Sequence, residues 1–214
     1  MKAATKMDRS SLQTQNPLPP ENFVIRLREE KDNVGIYRIT SENSFQNFAT
    51  HLKPFRSLEL FQIWFAGLGN ERFDLIAEIN DELVGFASLL VLPDRQSHAG
   101  WFVIGVCERF QNNGVGQRLL QALIWIADLA YGLRRVQLTV YCNNTVALKL
   151  YQKFGFEIEG RHKDFVRYAN QFVDAYSMAR VRADTVPPKS EIEIHDRLSD
   201  FINQMLPAGL TPEK

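Results

Sequence analysis

Cysteine is scarce: the 214-residue chain has two, Cys107 and Cys142. Both sit in apolar, strand-like runs with no pair of histidines nearby. That excludes a disulfide scaffold and a Cys/His zinc site, leaves the cysteines as packing residues, and gives no sign of a bound metal. Excess charge is lacking too. Lys plus Arg number 25, as do Asp plus Glu, so the formal net charge is zero. This balance supports neither nucleic acid nor a membrane surface as a partner. No apolar run approaches the ~20 residues that a membrane-spanning helix needs. No apolar h-region with a cleavage site follows Met1, which makes the cytoplasm the expected compartment.

Apolar residues make up 45% of the chain, enough for one sizeable core. Three segments are expected. Residues 1–20 are polar, end in Pro17, Pro19 and Pro20, and read as a disordered leader. Residues 21–182 hold the patterned domain. Residues 183–214 open with the linker signal Val186-Pro187-Pro188 and carry an amphipathic stripe of Ile194, Leu198, Phe201, Ile202 and Met205. That stripe suits a helix docked on the core or on a second copy, or a lid.

Within the domain, Phe23, Ile25 and Leu27 alternate with their neighbours and predict a strand over Phe23–Arg28. Asp32–Ser41 and Ser57–Leu68 read as helices, the second with Leu58, Phe61, Phe65 and Leu68 on one face. Phe73–Ile79 and Leu83–Leu92 read as a hairpin around Asn80-Asp81-Glu82, and Trp101–Val106 as another strand. Helical spacing runs from Val115 to Ala130 and stops at Gly132. Val136, Leu138 and Val140 mark a strand. Asn144 can cap a helix through Phe154. Phe156–Arg161 and Phe172–Val181 close the sheet. The expected fold is α/β: a mixed, mostly antiparallel central sheet flanked by helices.

The most informative segment is Gln111-Asn112-Asn113-Gly114-Val115-Gly116. It follows an apolar strand and opens an amphipathic helix. Free first-turn amides and the positive end of the helix dipole make such a junction an anion site, and glycine lets a phosphate approach the backbone. The loop lacks the Gly-Lys-Ser/Thr of a triphosphate loop and the three glycines of a dinucleotide fold. On its own it is equally an ordinary tight turn.

Gln-x-x-Gly-x-Gly resembles the acetyl-CoA loop of the GNAT superfamily of N-acetyltransferases. The run from Asn144 through Ala147, Leu150-Tyr151, Lys153 and Gly155-Phe156 is similar to that family's second motif, and Val173–Arg180 to its last strand. The resemblance covers about Phe23 to Arg182. From Ser97 onward it points to the bacterial L-amino-acid N-acetyltransferase branch. It implies an enzyme using acetyl-CoA as co-substrate. The diphosphate would sit on the amides of Asn112, Asn113, Gly114, Val115 and Gly116, beside Gln111. The pantetheine would lie along Ile104, Gly105 and Val106, with Asn144 and Ala147 nearby and Lys153 reaching a phosphate. Tyr151, which by its pattern alone is a packing residue, becomes the acid that protonates the departing thiolate. Some members of the family carry a glutamate base on the strand before the loop. Here that strand, Trp101-Phe-Val-Ile-Gly-Val106, has none, which leaves Glu78 and His98 as candidates. The bland alternatives are a solvated charge on a strand face for Glu78 and a loop residue for His98.

The expected acceptor is a primary amine on a small molecule, most simply a free amino acid. Phe55, Phe61, Trp64, Phe65, Phe165, Tyr168 and Phe172 offer an apolar pocket, although Phe61 and Phe65 also read as plain core. Arg161, Lys163 and Arg167 are either a carboxylate clamp or an exposed basic hairpin. A protein N-terminal acetyltransferase and a CoA-binding module without turnover are the alternatives. A homodimer is left open by analogy with the family.

Overall fold

The computed structural model describes residues 22–49, 55–68, 72–168 and 170–183. The leader and the C-terminal stripe expected above lie outside them. Among the described residues, seven strands form one sheet in the order β1-β2-β3-β4-β5-β7-β6. They are β1 (Phe23–Leu27), β2 (Arg72–Ile79), β3 (Glu82–Val91), β4 (Ala99–Val106), β5 (Arg135–Tyr141), β6 (Glu157–Tyr168) and β7 (Gln171–Val181). Every neighbouring pair is antiparallel except β4 with β5. The expected mixed α/β sheet is the observed one.

Both faces of the sheet are covered, which is why β3 reads as a nearly unbroken apolar run rather than strict alternation. On one face pack α4 (Val115–Trp125) and α5 (Thr145–Lys153), over Leu75, Ala77, Leu89 and Phe102. Leu119, Leu120 and Leu123 of α4 are buried there. Each such side chain contributes roughly 1.5–3 kcal/mol by leaving water. On the other face lie α1 (Asn33–Ser41), α2 (Asn43–Gln46) and α3 (Leu58–Ala66). Ile36, Ile39, Phe45, Phe61 and Phe65 of these helices meet Ile76 and Phe86 of the sheet. Ser57 caps α3 by accepting from Leu60 N at 3.3 Å.

Three expectations need correction. The helical pattern through Ala130 is an α-helix to Trp125 followed by a π-turn over Ile126–Ala130. There Tyr131 N donates to Ile126 O at 3.1 Å, and the Asp128 carboxylate takes two bonds from Arg180 at 2.7 and 2.8 Å. Helix α2 went unseen because four residues carry no periodicity. The last hairpin is far longer than Phe156–Arg161 suggested. Register shifts at Ile158/Gly160 and His162/Val166 break the two-residue alternation that would have revealed β6.

Candidate active site

The parallel ladder between β4 and β5 is short. It pairs Ala99 with Arg135, Gly100 with Val136 and Trp101 with Gln137, and then ends. From Phe102 to Val106, β4 keeps its partner β3 on one side and, among the described residues, has no strand on the other, while β5 continues against β7. The sheet therefore opens into a gap between the two strands. Main-chain direction alternates along β4. Cys107 N donates to Val84 O of β3 at 2.9 Å, so Val106 and Ile104 turn their N–H and C=O toward the gap. The Gln111 amide confirms this at Val106 by donating to its carbonyl at 3.2 Å.

The glycine loop grows from the end of this strand. A 3-10 turn over Glu108–Phe110 leads to Gln111. Asn112 follows with φ 63° and Gly114 with φ 78°, both in the left-handed region that side chains disfavour. Gly114 is the N-cap of α4, and the first main-chain bond of that helix runs from Arg118 N to Gly114 O at 3.1 Å. The amides before it precede any intrahelical acceptor. Gln111, Asn112 and Asn113 are exposed, Gly114 and Gly116 half-buried, and Val115 is anchored in the core. Burial lowers the pKa of Arg118 in this first turn.

Helix α5 stands beside the same gap. The Asn144 carboxamide accepts from Ala147 N at 3.1 Å and starts the helix, as expected of a cap. Lys153 Nζ reaches Gln117 Oε1 of α4 at 3.3 Å, which brings it next to the loop. The Tyr151 ring packs edge-on to Phe102 at 5.7 Å and against Phe156 at 6.0 Å. Its hydroxyl has no hydrogen-bond partner among the described residues. It is not one of the sealed orphan oxygens either, which there are Ser44 Oγ and Asp74 Oδ1. Burial of the ring pushes its pKa up to about 12, so the phenol stays protonated across the neutral range. The loop, the gap edge, Asn144, Ala147, Tyr151 and Lys153 are thus brought together.

Of the two candidate bases, one is engaged in an ion cluster and the other lies at the closed end of the ladder. Glu78 of β2 is ion-paired with Arg26, which also binds Asp32 at 2.7 Å. Burial works against ionisation of Asp32, but Arg26 and the Glu29 N–H outweigh it and hold the carboxyl below its usual range. Glu78 serves this ion cluster on the α1–α3 face. His98 lies at the closed end of the β4–β5 ladder, where its carbonyl accepts from Arg134 N at 2.9 Å and Arg135 N at 3.1 Å. Six residues separate it from Ile104, about 20 Å along a strand.

The aromatics divide as well. Phe61 and Phe65 are core. Phe55 lies 5.3 Å from Phe61 and 5.1 Å from Trp64, so the early aromatics pack mainly on one another. Phe165 meets His162 at 5.3 Å, Phe172 is exposed, and the Tyr168 side chain lies outside the described part. Arg161 is held by Asp174 at 2.6 Å and Arg167 by Asn170 at 3.2 Å. The basic hairpin is therefore partly satisfied internally rather than an open clamp.

Sequence reasoning missed Glu42 and Tyr141. Glu42 accepts from Cys107 Sγ at 3.1 Å and Glu108 N at 2.7 Å. Tyr141 donates to Ala49 O at 2.9 Å. Neither belongs to a motif, and only folding makes them neighbours of the gap. No helix of the described residues is long and apolar enough to cross a membrane. Among those residues there is no cluster of three or more His, Cys, Asp or Glu side chains suited to a metal ion.

Comparison with known proteins matches this arrangement. The model of the acetyltransferase (GNAT) family matches residues 15–156. L-amino acid N-acetyltransferase AaaT of Escherichia coli (strain K12) is 39% identical over 109 residues, which are 50% of this chain and 67% of that protein. The crystal structure of a GNAT-family acetyltransferase from Streptococcus pneumoniae superposes with a TM-score of 0.65 at 28% identity, covering 75% of this chain and 99% of that one. An acetyltransferase from Salmonella typhimurium, solved with its cofactor acetyl-CoA, shares the fold with a TM-score of 0.68 at 19% identity, covering 79% of this chain and 99% of that one. The chain belongs to the GNAT acetyltransferase family.

Proposed function

We propose that this chain transfers the acetyl group of acetyl-CoA to the amine of a small molecule, most simply the α-amine of a free amino acid. The observation that carries the reading is the early end of the β4–β5 ladder, with the Gly114 loop at one end of the exposed edge and, beside it, the Tyr151 hydroxyl, unpartnered among the described residues. The amides of Asn112–Gly116 take the diphosphate, and Lys153 stands where a further phosphate oxygen can reach it. The pantetheine amides add to the free edge of β4 as an extra strand would. The family relationship and the acetyl-CoA bound by the Salmonella protein support this coenzyme.

The chemistry follows from that pose. The neutral amine attacks the thioester carbon, and an N–H on the gap side of Ile104–Val106 stabilises the oxyanion. The C–S bond breaks, the departing thiolate takes the Tyr151 proton, and solvent reprotonates the phenolate before the next turnover. An α-amine has a pKa near 8, so a fraction is already neutral at pH 7 and solvent can remove the remaining proton after attack. This reading assigns no side-chain base: Glu78 is engaged by Arg26, and His98 lies at the closed end of the β4–β5 ladder. The amino-acid acceptor rests on the similarity to AaaT. The test is release of free thiol from acetyl-CoA with a panel of amino acids, polyamines and N-terminal peptides. Amino acids should accelerate release most. Binding of acetyl-CoA without acceleration by any amine would overturn the reading in favour of a non-catalytic module.

A further inference from the structure

Helix α2 lies across the gap on the face opposite Tyr151, and three contacts fix it there. At its N-cap, the Glu42 carboxylate accepts from Cys107 Sγ at 3.1 Å and from Glu108 N at 2.7 Å. These two residues directly follow β4 and begin the turn into the glycine loop. In its middle, Phe45 presses on β4 itself: a Cβ built on Gly105 would lie 3.0 Å from Phe45 Cε2. Just past its end, the Ala49 carbonyl accepts from the Tyr141 hydroxyl at 2.9 Å, and Tyr141 is the last residue of β5. Tyr141 is buried and Ala49 half-buried, so this bond is partly shielded from water.

One short segment, Glu42–Ala49, thus holds the free end of β4 with its first residue and the free end of β5 with its last. No strand pairing fixes the distance between these ends, because the ladder stops at Trp101 and Gln137. We propose that α2 is a brace across the gap, and that Glu42 and Tyr141 are positioning residues which set the strand separation and the start of the glycine loop. The inference rests on the proposed acetyl-CoA site for its functional consequence but not for its structural one. A cofactor arm lying in the gap is then gripped at a width set by α2, and the loop that takes the diphosphate is aimed by the Glu42–Glu108 bond.

The test uses the full chain with Tyr141→Phe, Glu42→Ala and the conservative Glu42→Gln. Two readouts keep the brace and the coenzyme reading apart. Hydrogen exchange at the amides of Ile104 and Val106, measured without ligand, reports the gap edge directly. Both Tyr141→Phe and Glu42→Ala should change exchange at the β4 amides, although Tyr141 belongs to β5, and Glu42→Gln should restore part of the wild-type pattern. Acetyl-CoA affinity should fall by roughly fivefold in each, the effect of about one net hydrogen bond. The double variant should fall short of the product of the two, because both substitutions release the same brace. A Tyr141→Phe protein whose β4 exchange matches wild type overturns the brace. So do effects of the two substitutions that multiply independently. Altered exchange with no acetyl-CoA binding even by the wild type would retain the brace and overturn the coenzyme reading alone.

Discussion

The ring of Tyr151 meets Phe102 edge-on, with centroids 5.7 Å apart and planes at 78°. Phe102 is the first residue of β4 beyond the last pair with β5. The phenol is therefore held by the strand that loses its partner, at the point where it loses it. Packing against Phe102 and Phe156 orients the ring and leaves the hydroxyl, which nothing in the described chain engages, available for the proton transfer proposed above.

Tyr151→Phe separates this role from packing. The ring contacts survive, and no internal hydrogen bond is lost, so thermal stability should stay within about 0.5 kcal/mol of wild type, as for a change that breaks no structural contact. The turnover rate should drop by about 100-fold or more, the usual range for removing a general acid, with little change in acetyl-CoA affinity. Calorimetric binding with single-turnover kinetics reads both. Unchanged turnover removes the acid assignment.

The same residue ties stability to alkaline pH. In the folded state its pKa is raised to about 12 by burial, whereas unfolded tyrosine titrates near 10. Above pH 10 the unfolded chain loses this proton while the folded chain keeps it. The contribution is whole below pH 10 and is lost as pH rises toward 12. Denaturation midpoints followed from pH 9 to 12 should fall more steeply for wild type than for Tyr151→Phe. Parallel curves would mean that the ring is more solvated than its packing indicates.

Gly105 has no room for a side chain. A Cβ there would meet Phe86 Cε1 at 2.3 Å and Phe45 Cε2 at 3.0 Å. Gly105→Ala should destabilise the fold by about 1–3 kcal/mol, as overpacking does, and move β4 at the gap. Combining it with Phe86→Leu should recover part of the loss, because the nearest clash is with the Phe86 ring. Urea midpoints of the two single variants and the double give the comparison; no recovery would place the strain elsewhere.

Much of the fold was legible because its signals are local. Helix α4 repeats apolar residues at helical spacing, Asn144 caps α5 by accepting from Ala147 N only three residues on, and the glycine loop sits between a strand and a helix. The gap has no local signal, since no periodicity states where a ladder stops. Contacts between distant residues left no trace. Cys107 and Glu42 are 65 positions apart, Tyr141 and Ala49 are 92, and each lies in a stretch whose pattern is fully explained by its own element. Glu78 shows the converse. A carboxylate on a strand face looks available in sequence, and its ion partner Arg26 lies 52 positions away on β1.

The loop itself offers the sharpest test. Gly114 has φ 78° at the N-cap of α4, a conformation costing roughly 1–3 kcal/mol for a residue forced to hold it, and most for a β-branched one. Valine at this position must either bear that strain or turn the peptide away, which moves the amides that precede Arg118. Asparagine tolerates the left-handed region, so Gly114→Asn should keep the loop. The expected outcome is a loss of acetyl-CoA affinity of about tenfold or more for Gly114→Val, corresponding to ~1.4 kcal/mol. Gly114→Asn should stay close to wild type, and melting temperature should fall for the valine variant alone. Because both replacements add a side chain, bulk cannot account for a difference between them. If the two lose affinity equally, a steric block replaces backbone geometry as the cause. If neither loses any, the diphosphate does not sit on this loop.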